Sequence, residues 1–139
     1  TTKPRGILNR GRENAMVSRL VRELSIKAED TSLPVSSLSG GNQQKVVIAK
    51  WLATDSTVIL MDEPTRGVDV GAKVEIYQII NALVARGVSI LMISSELNEI
   101  IGMCDRVMVI DKGRCRGILG RDEMNEMSIM KLVVGGKAV

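Results

Sequence analysis

Apolar residues recur along this chain with two different spacings, and the alternation between them predicts an α/β protein. Continuous apolar runs near 57–62 and 88–94 predict two strands buried on both faces, as in a parallel sheet. Apolar residues at helical spacing predict a helix over 70–86, and Gly87 follows as a glycine often follows a helix. Together these segments predict a right-handed βαβ unit with parallel strands.

The flanking segments predict further helices and a hairpin. Helical spacing predicts helices over 12–24, 40–53 and 97–103. Two short segments, 106–110 and 114–119, flank a turn containing Gly113, which predicts a β-hairpin. A last helix over 122–134 is predicted to carry Asp122 and Glu123 in its first turn. The predicted apolar faces of the two central helices comprise Val47, Ile48, Trp51 and Leu52 in one, and Val70, Val74, Tyr77, Ile80 and Leu83 in the other.

Composition limits the kinds of function. The 139 residues are 45% apolar, enough for one small domain with a core. A net charge of +3 is too small to argue for a nucleic-acid partner. No apolar run approaches the roughly 20 residues that span a bilayer, so we expect any membrane association to come through a partner. Cys104 and Cys115 lack metal-ligand spacing and are expected to be reduced thiols.

Residues 38–45, which read Leu-Ser-Gly-Gly-Asn-Gln-Gln-Lys, predict a helix start suited to an anion. The Ser39 hydroxyl can cap the helix by accepting from a backbone N–H. Gly40 and Gly41 carry no Cβ, so the backbone can come close to a ligand. The first N–H groups and the helix dipole together attract a phosphate. A bare Ser-Gly-Gly is more often an ordinary capped helix.

Two carboxylates, Asp62 and Glu63, follow the first predicted strand directly. Ligands of parallel sheets bind at the carboxyl ends of the strands. Phosphoryl transfer needs a carboxylate that holds Mg²⁺ and a group that orients the attacking water, and Asp62 and Glu63 fit these two roles. The alternative is a solvated acidic turn before Pro64. Further on, Asp69 is placed to cap the helix that follows.

In this order and at this spacing, the two motifs resemble the signature motif and Walker B strand of ABC-type ATPases. Within this family, the resemblance is to the C-terminal nucleotide-binding domain in the ATP-binding subunits of bacterial monosaccharide importers. It is most specific in residues 62–73, which read Asp-Glu-Pro-Thr-Arg-Gly-Val-Asp-Val-Gly-Ala-Lys. The resemblance covers about residues 12–135. It implies part of a P-loop NTPase (ABC ATPase) fold, with a parallel sheet flanked by helices and a C-terminal β-hairpin. Residues 1–50 would be a remnant of the helical subdomain and residues 51–139 the C-terminal part of the ATPase core.

The resemblance also implies roles for single residues. In such ATPases ATP lies between two nucleotide-binding domains, and one domain contributes its signature motif and its D-loop, which residues 64–69 match in position, to the interface. The residues implied to contact nucleotide in this way are Ser39, Gly40, Gly41, Gln43 and Asp69.

The catalytic residues of the implied site depart from the pattern of ABC ATPases at one position. Asp62 would hold Mg²⁺ and Glu63 would be catalytic. ABC ATPases generally place a histidine after the second strand, but this chain has no histidine, and Ser95 stands at that position. Serine cannot carry the positive charge of a histidine, so this site is expected to hydrolyse ATP slowly or not at all. A serine there is a feature of the C-terminal domain in these importers.

The implied function is to couple ATP binding and hydrolysis to monosaccharide import at the cytoplasmic face of the membrane. The implied partners are transmembrane permease subunits, a second nucleotide-binding domain and, indirectly, a sugar-binding protein. No Gly-x-x-x-x-Gly-Lys-Ser/Thr loop occurs in these residues, so we expect the chain alone to be inactive and its exposed sheet edge to favour self-association. Two alternatives stay open: a stand-alone, non-hydrolytic interaction module, and an ABC ATPase of another pathway.

Overall fold

The order of helices and strands follows the hydrophobic pattern. The structure is a computed structural model that describes residues 9–135. Its contacts divide the chain into two compact units, one ending at Ile93 and the other beginning at Ser94. The predicted division into a helical-subdomain remnant, residues 1–50, and part of the ATPase core, residues 51–139, stays a prediction. Residues 1–8 of the first part lie outside the described residues.

The first unit contains three helices and two strands. They are α1 (Arg10–Glu23), α2 (Gly40–Leu52), β1 (Val58–Asp62), α3 (Val70–Ala85) and β2 (Ser89–Ile93), with a short 3-10 turn at Val35–Ser37 before α2. The second unit contains α4 (Leu97–Met103), β3 (Arg106–Asp111), β4 (Arg114–Gly120) and α5 (Glu126–Gly135). Within residues 9–135, no helix is both long and apolar enough to cross a bilayer.

The predicted βαβ unit is present. β1 and β2 pair in parallel, from Val58 opposite Ser89 to Asp62 opposite Ile93. The prediction that β1 is buried on both faces is wrong, because burial alternates along the strand. Ile59 is 4% exposed and Leu60 is 69% exposed. Among the described elements of this unit, α3 packs on one face of the two strands and leaves their other face open.

The buried faces of α2 and α3 differ from the predicted ones. In α2 the buried residues are Gly41, Lys45, Ile48 and Ala49, whereas Val47 and Trp51 are about half exposed. The predicted face contained only apolar residues and did not include Lys45. In α3 the buried residues are Ile76, Ile80 and Leu83, whereas Val70 and Val74 are exposed.

In the second unit, β3 and β4 form the predicted antiparallel hairpin, with an irregularity after Val109. Val109 packs with Met124 and Ile129 in the core of this unit. α5 begins at Glu126, four residues later than predicted, because the Asn125 side chain accepts a hydrogen bond from the Ser128 amide at 2.9 Å. Asp122 and Glu123 therefore lie before the helix and not in its first turn.

Candidate functional site

The start of α2 is exposed and its first amides are not used by a side-chain cap. Ser39 occupies the N-cap position with extended backbone angles. The prediction that its hydroxyl caps the helix by accepting from a backbone N–H is wrong, because the hydroxyl accepts instead from the Asn42 side-chain amide at 2.9 Å. The helix start therefore keeps donor groups directed outward, which is the arrangement that attracts an anion.

The two glycines of the motif have different surroundings. Gly40 is exposed, and a Cβ added there would lie 3.6 Å from the Gly67 carbonyl oxygen, an ordinary contact. Gly41 is buried, and a Cβ added there would lie 2.5 Å from the Ala72 Cβ. The sequence predicted that both glycines let a ligand approach. The structure gives Gly41 a different reason to lack a side chain, namely the close packing of α2 on the start of α3.

The polar residues after the glycines fix the entry into α2. The Asn42 side-chain oxygen accepts from the Lys27 amide at 2.8 Å, which ties the helix start to the segment after α1. The Gln43 side-chain amide donates to the Leu38 carbonyl at 2.7 Å. Gln43 thus supports the backbone just before Ser39. Its implied nucleotide contact stays a prediction.

The predicted carboxylates lie at the carboxyl end of β1, as expected for a parallel sheet. Asp62 ends the strand and is exposed. Glu63 has a left-handed backbone with φ of 47°, and its amide donates to the Ile93 carbonyl at 2.8 Å. A left-handed conformation costs a non-glycine residue about 1–2 kcal/mol. Such backbone strain is often found at functional sites. No pattern in the sequence predicted it at Glu63.

The loop after the carboxylates is well packed and leads into α3. Pro64 and Thr65 are almost fully buried, and Gly67 takes a positive φ of 72° that suits a glycine. The Asp69 side chain accepts from the Ala72 amide at 3.0 Å, so the predicted helix cap is confirmed. This cap fixes the start of α3 against which Gly41 packs.

The donor set at Asp62 suits a cation that is completed by phosphate. In the described part of the chain, no group of three or more acidic, cysteine or histidine residues is placed to bind a metal. Mg²⁺ usually takes one or two protein carboxylates and completes its shell with water and phosphate oxygens. A single exposed carboxylate at the strand end is compatible with that demand, but not with a closed metal site made by protein alone.

Ser95 lies in the second unit, exposed, between β2 and α4. The shape of this loop is set by its neighbour Ser94, whose hydroxyl accepts from the Glu96 amide at 3.0 Å and donates to the Glu99 carboxylate. Glu99 is only 4% exposed. The sequence reasoning did not single out Ser94 or Glu99. A carboxylate directly before the apolar pair Ile100–Ile101 of helix 97–103 was the available signal.

A second buried charge was also missed. Lys45 is 2% exposed, and its Nζ lies 2.6 Å from a Glu75 carboxylate oxygen. The hydrogen bond and positive charge from Lys45 hold the pKa of Glu75 below its usual range. The signal was the position of Lys45, one helical turn after Gly41 on the same face.

Comparisons with known proteins agree with the motifs. The sequence model of a family described as "ABC transporter" matches residues 2–66. The ribose import ATP-binding protein of Geobacillus kaustophilus is 51% identical over 131 residues, and one of Rhizobium meliloti is 55% identical over 130 residues. Each alignment covers 94% of this chain but only 26% and 25% of the relative, so the chain spans about a quarter of their length.

Solved structures confirm the predicted fold class. A dimeric, post-hydrolysis ATP-binding cassette bound to ADP and Pi matches with a TM-score of 0.72 at 21% identity, covering 84% of this chain and 50% of that one. Another ABC transporter cassette matches with a TM-score of 0.73 at 22% identity, covering 86% and 49%. These findings do not favour the alternative of a stand-alone interaction module.

Proposed function

The chain belongs to the ABC transporter family, and on that premise we propose that it supplies the signature motif and the catalytic carboxylates of an ATPase that drives monosaccharide import. The relatives are named for ribose import, which makes ribose the first sugar to test. One observation carries the proposal: the exposed helix start at Ser39 and Gly40 belongs to the same compact unit as Asp62 and Glu63. The phosphate-binding loop would come from sequence outside these 139 residues.

The start of α2 would bind the terminal phosphate of ATP. The Ser39 hydroxyl and the first amides of the helix are donors, and the helix dipole adds partial positive charge at this end. Gly40 is exposed and leaves the backbone accessible. Gly41 and Gln43 would act mainly by holding this backbone in place, Gly41 through its packing on Ala72 and Gln43 through the Leu38 carbonyl.

The end of β1 would serve the other composite nucleotide site. Asp62 would hold Mg²⁺, which neutralises phosphate charge in phosphoryl transfer. Glu63 would orient the attacking water, and its left-handed backbone fixes where the side chain leaves the chain. Ser95 in place of histidine offers a hydroxyl without positive charge, so slow turnover is expected at this site. Asp69 would lie at the interface between the two nucleotide-binding domains.

The partners would be those of an importer. We expect permease subunits, a second nucleotide-binding domain and an indirect link to a sugar-binding protein, at the cytoplasmic face of the membrane. The names of the relatives support the import role. The open face of β1, with Val58 and Leu60 exposed, gives the isolated chain an apolar surface that supports the expected self-association.

A chimera tests the proposal. The matching 131 residues of the Geobacillus relative would be replaced by this chain, and ribose-stimulated ATPase would be measured with permease and binding protein in liposomes. We expect coupled turnover, which Ser39→Arg abolishes because a bulky cation blocks the approach of the phosphate. Ser89→Arg is the matched control, since Ser89 is an exposed serine at the opposite end of β2 from the carboxylates. Normal turnover in Ser39→Arg would contradict the assignment.

Two further measurements separate the sites. Glu63→Gln in the chimera should lower turnover only modestly, since Ser95 already weakens that site; complete loss would mean that this site does the main work. Calorimetry of the isolated chain with Mg-ATP should show no binding. Saturable binding that Asp62→Ala abolishes would instead favour an independent nucleotide site.

A further inference from the structure

We propose that Lys45 is a positioning residue that joins α2 to α3 through Glu75, so that the anion-binding start of α2 and the Asp69 loop move as one body. The joining itself follows from packing and charge in the first unit. Its consequence for ATP turnover rests on the proposed function, because that function assigns the start of α2 to one nucleotide and the carboxylates that precede the Asp69 loop to the other.

The first part of the junction is steric. The backbone of α2 at Gly41 comes so close to α3 that a Cβ would lie 2.5 Å from the Ala72 Cβ and 3.5 Å from Val68 Cγ1. Gly40 lies beside the Gly67 carbonyl. The first turn of α2 therefore contacts both the loop before Asp69 and the first turn of α3.

The second part is the buried ion pair one turn further on. Lys45 lies four residues after Gly41, and Glu75 lies three residues after Ala72, so each residue continues the same face of its helix. The Lys45 Nζ lies 2.6 Å from the Glu75 carboxylate. Steric contact and ion pair form one continuous line along the two helices, which we call the α2–α3 seam.

The buried ammonium group of Lys45 favours one position of α2 along α3. A buried ammonium without a partner is strongly unfavourable, so sliding α2 along α3 would carry a large penalty. The same Nζ donates to the Ser25 carbonyl at 3.1 Å. Ser25 has a left-handed φ of 49° and lies two residues after the end of α1, so the end of α1 is held in the same cluster.

This seam links the two parts of the proposed function. Ser39 and Gly40 would face one nucleotide, whereas Asp62 and Glu63, in the segment that leads to Asp69, would act at the other. A seam that does not slide transmits a displacement at one segment to the other. Loss of Lys45 should therefore affect turnover at saturating ATP more than ATP binding.

Hydrogen exchange of the 139-residue chain tests the seam without any assumption about ATP. Lys45→Met keeps an apolar stem of similar length and removes the buried charge, a replacement that proteins often tolerate. We expect the amides of Gln43 and Lys73, which make the first backbone hydrogen bonds of α2 and α3, to lose protection together. The control is Arg86→Met, which removes the Arg86–Glu23 ion pair between α3 and α1 without touching α2, and which should leave both first turns protected.

A second variant keeps the test decisive if Lys45→Met does not fold. Glu75→Gln removes the charge from the more exposed partner, whose side chain is 46% exposed, and keeps an oxygen that accepts a hydrogen bond. It should produce the same joint loss of protection to a smaller extent. Wild-type protection at the start of α3 in the variant that folds would overturn the proposal.

The chimera then tests the consequence for turnover. With activity normalised to active sites, Lys45→Met should lower kcat by roughly ten- to a hundredfold, since a misplacement of about 1 Å caused far from the chemistry can cost about a hundredfold, and leave the KM for ATP unchanged. A merely structural role would change neither value after normalisation, and that result would refute the coupling. A wild-type chimera without activity would count against the proposed function alone, since the exchange experiment does not depend on it.

Discussion

Replacing Gly41 by alanine should destabilise the first unit, although alanine is the better helix former. The new Cβ would lie 2.5 Å from the Ala72 Cβ. Carbon atoms that are not bonded normally approach to about 3.5–4.0 Å, so the helices would have to separate by about 1 Å. Neither Cβ can rotate away, because each is fixed to its own helix backbone.

The expected magnitude follows from two opposing contributions. Overpacking costs typically about 1–3 kcal/mol, and a rigid collision such as this one belongs in the upper half of that range. The gain from replacing glycine by alanine within a helix is at most about 1 kcal/mol. We therefore expect Gly41→Ala to lower the free energy of unfolding by about 1–2 kcal/mol.

Trp51 provides the assay, because it is the single tryptophan of the chain and lies on α2. Its fluorescence would be followed during urea unfolding of Gly41→Ala and of the control Gly40→Ala. The control adds the same methyl group where the nearest atom is 3.6 Å away, so it should be neutral or slightly stabilising. The double variant Gly41→Ala/Ala72→Gly should regain part of the loss. If Gly41→Ala is as stable as Gly40→Ala, the packing argument is refuted.

Three other consequences can be measured. The lowered pKa of Glu75 adds stability that is present above the ordinary glutamate pKa of about 4.3 and is lost as the pH falls through the lowered pKa. The urea midpoint should therefore fall more steeply in acid for wild type than for Glu75→Gln. Parallel curves of midpoint against pH would exclude a stabilising contribution from the Glu75 charge. Glu63→Gly should be about 1 kcal/mol more stable than Glu63→Ala, since φ at this position is 47°, and equal midpoints would contradict the strain. Burial, aided by nearby carboxylates, raises the pKa of Cys104, so mass spectrometry should show slower alkylation at neutral pH than for a cysteine in a short peptide.

The order of elements could be predicted from sequence because it depends on local periodicity. Strand and helix runs in the βαβ unit are long and are bounded by glycine or proline, so their bounds agree within one or two residues. The start of α5 was predicted four residues early, because two acidic residues and a side-chain cap compete as start signals. Asn125 prevails since its oxygen makes an actual bond to a backbone amide.

The faces of the helices were harder to predict, because polarity was taken as exposure. Lys45 occupies the centre of the buried face of α2, and its burial depends on a partner 30 positions further along the chain. No local pattern contains that partner. The open face of β1 was missed for a similar reason, since a run of apolar residues does not tell how many layers cover it.

The signature motif shows why a sequence motif and a physical role need not coincide residue by residue. Gly40 and Gly41 are adjacent and identical, yet one is exposed beside the Gly67 carbonyl and the other is enclosed by Ala72 and Val68. An approaching phosphate can explain the absence of a side chain only at the exposed position. The enclosed position is explained by helix packing, and that packing holds the donors of the exposed one in place. The anion site that we propose at the start of α2 would therefore depend on the packing of Gly41 against α3.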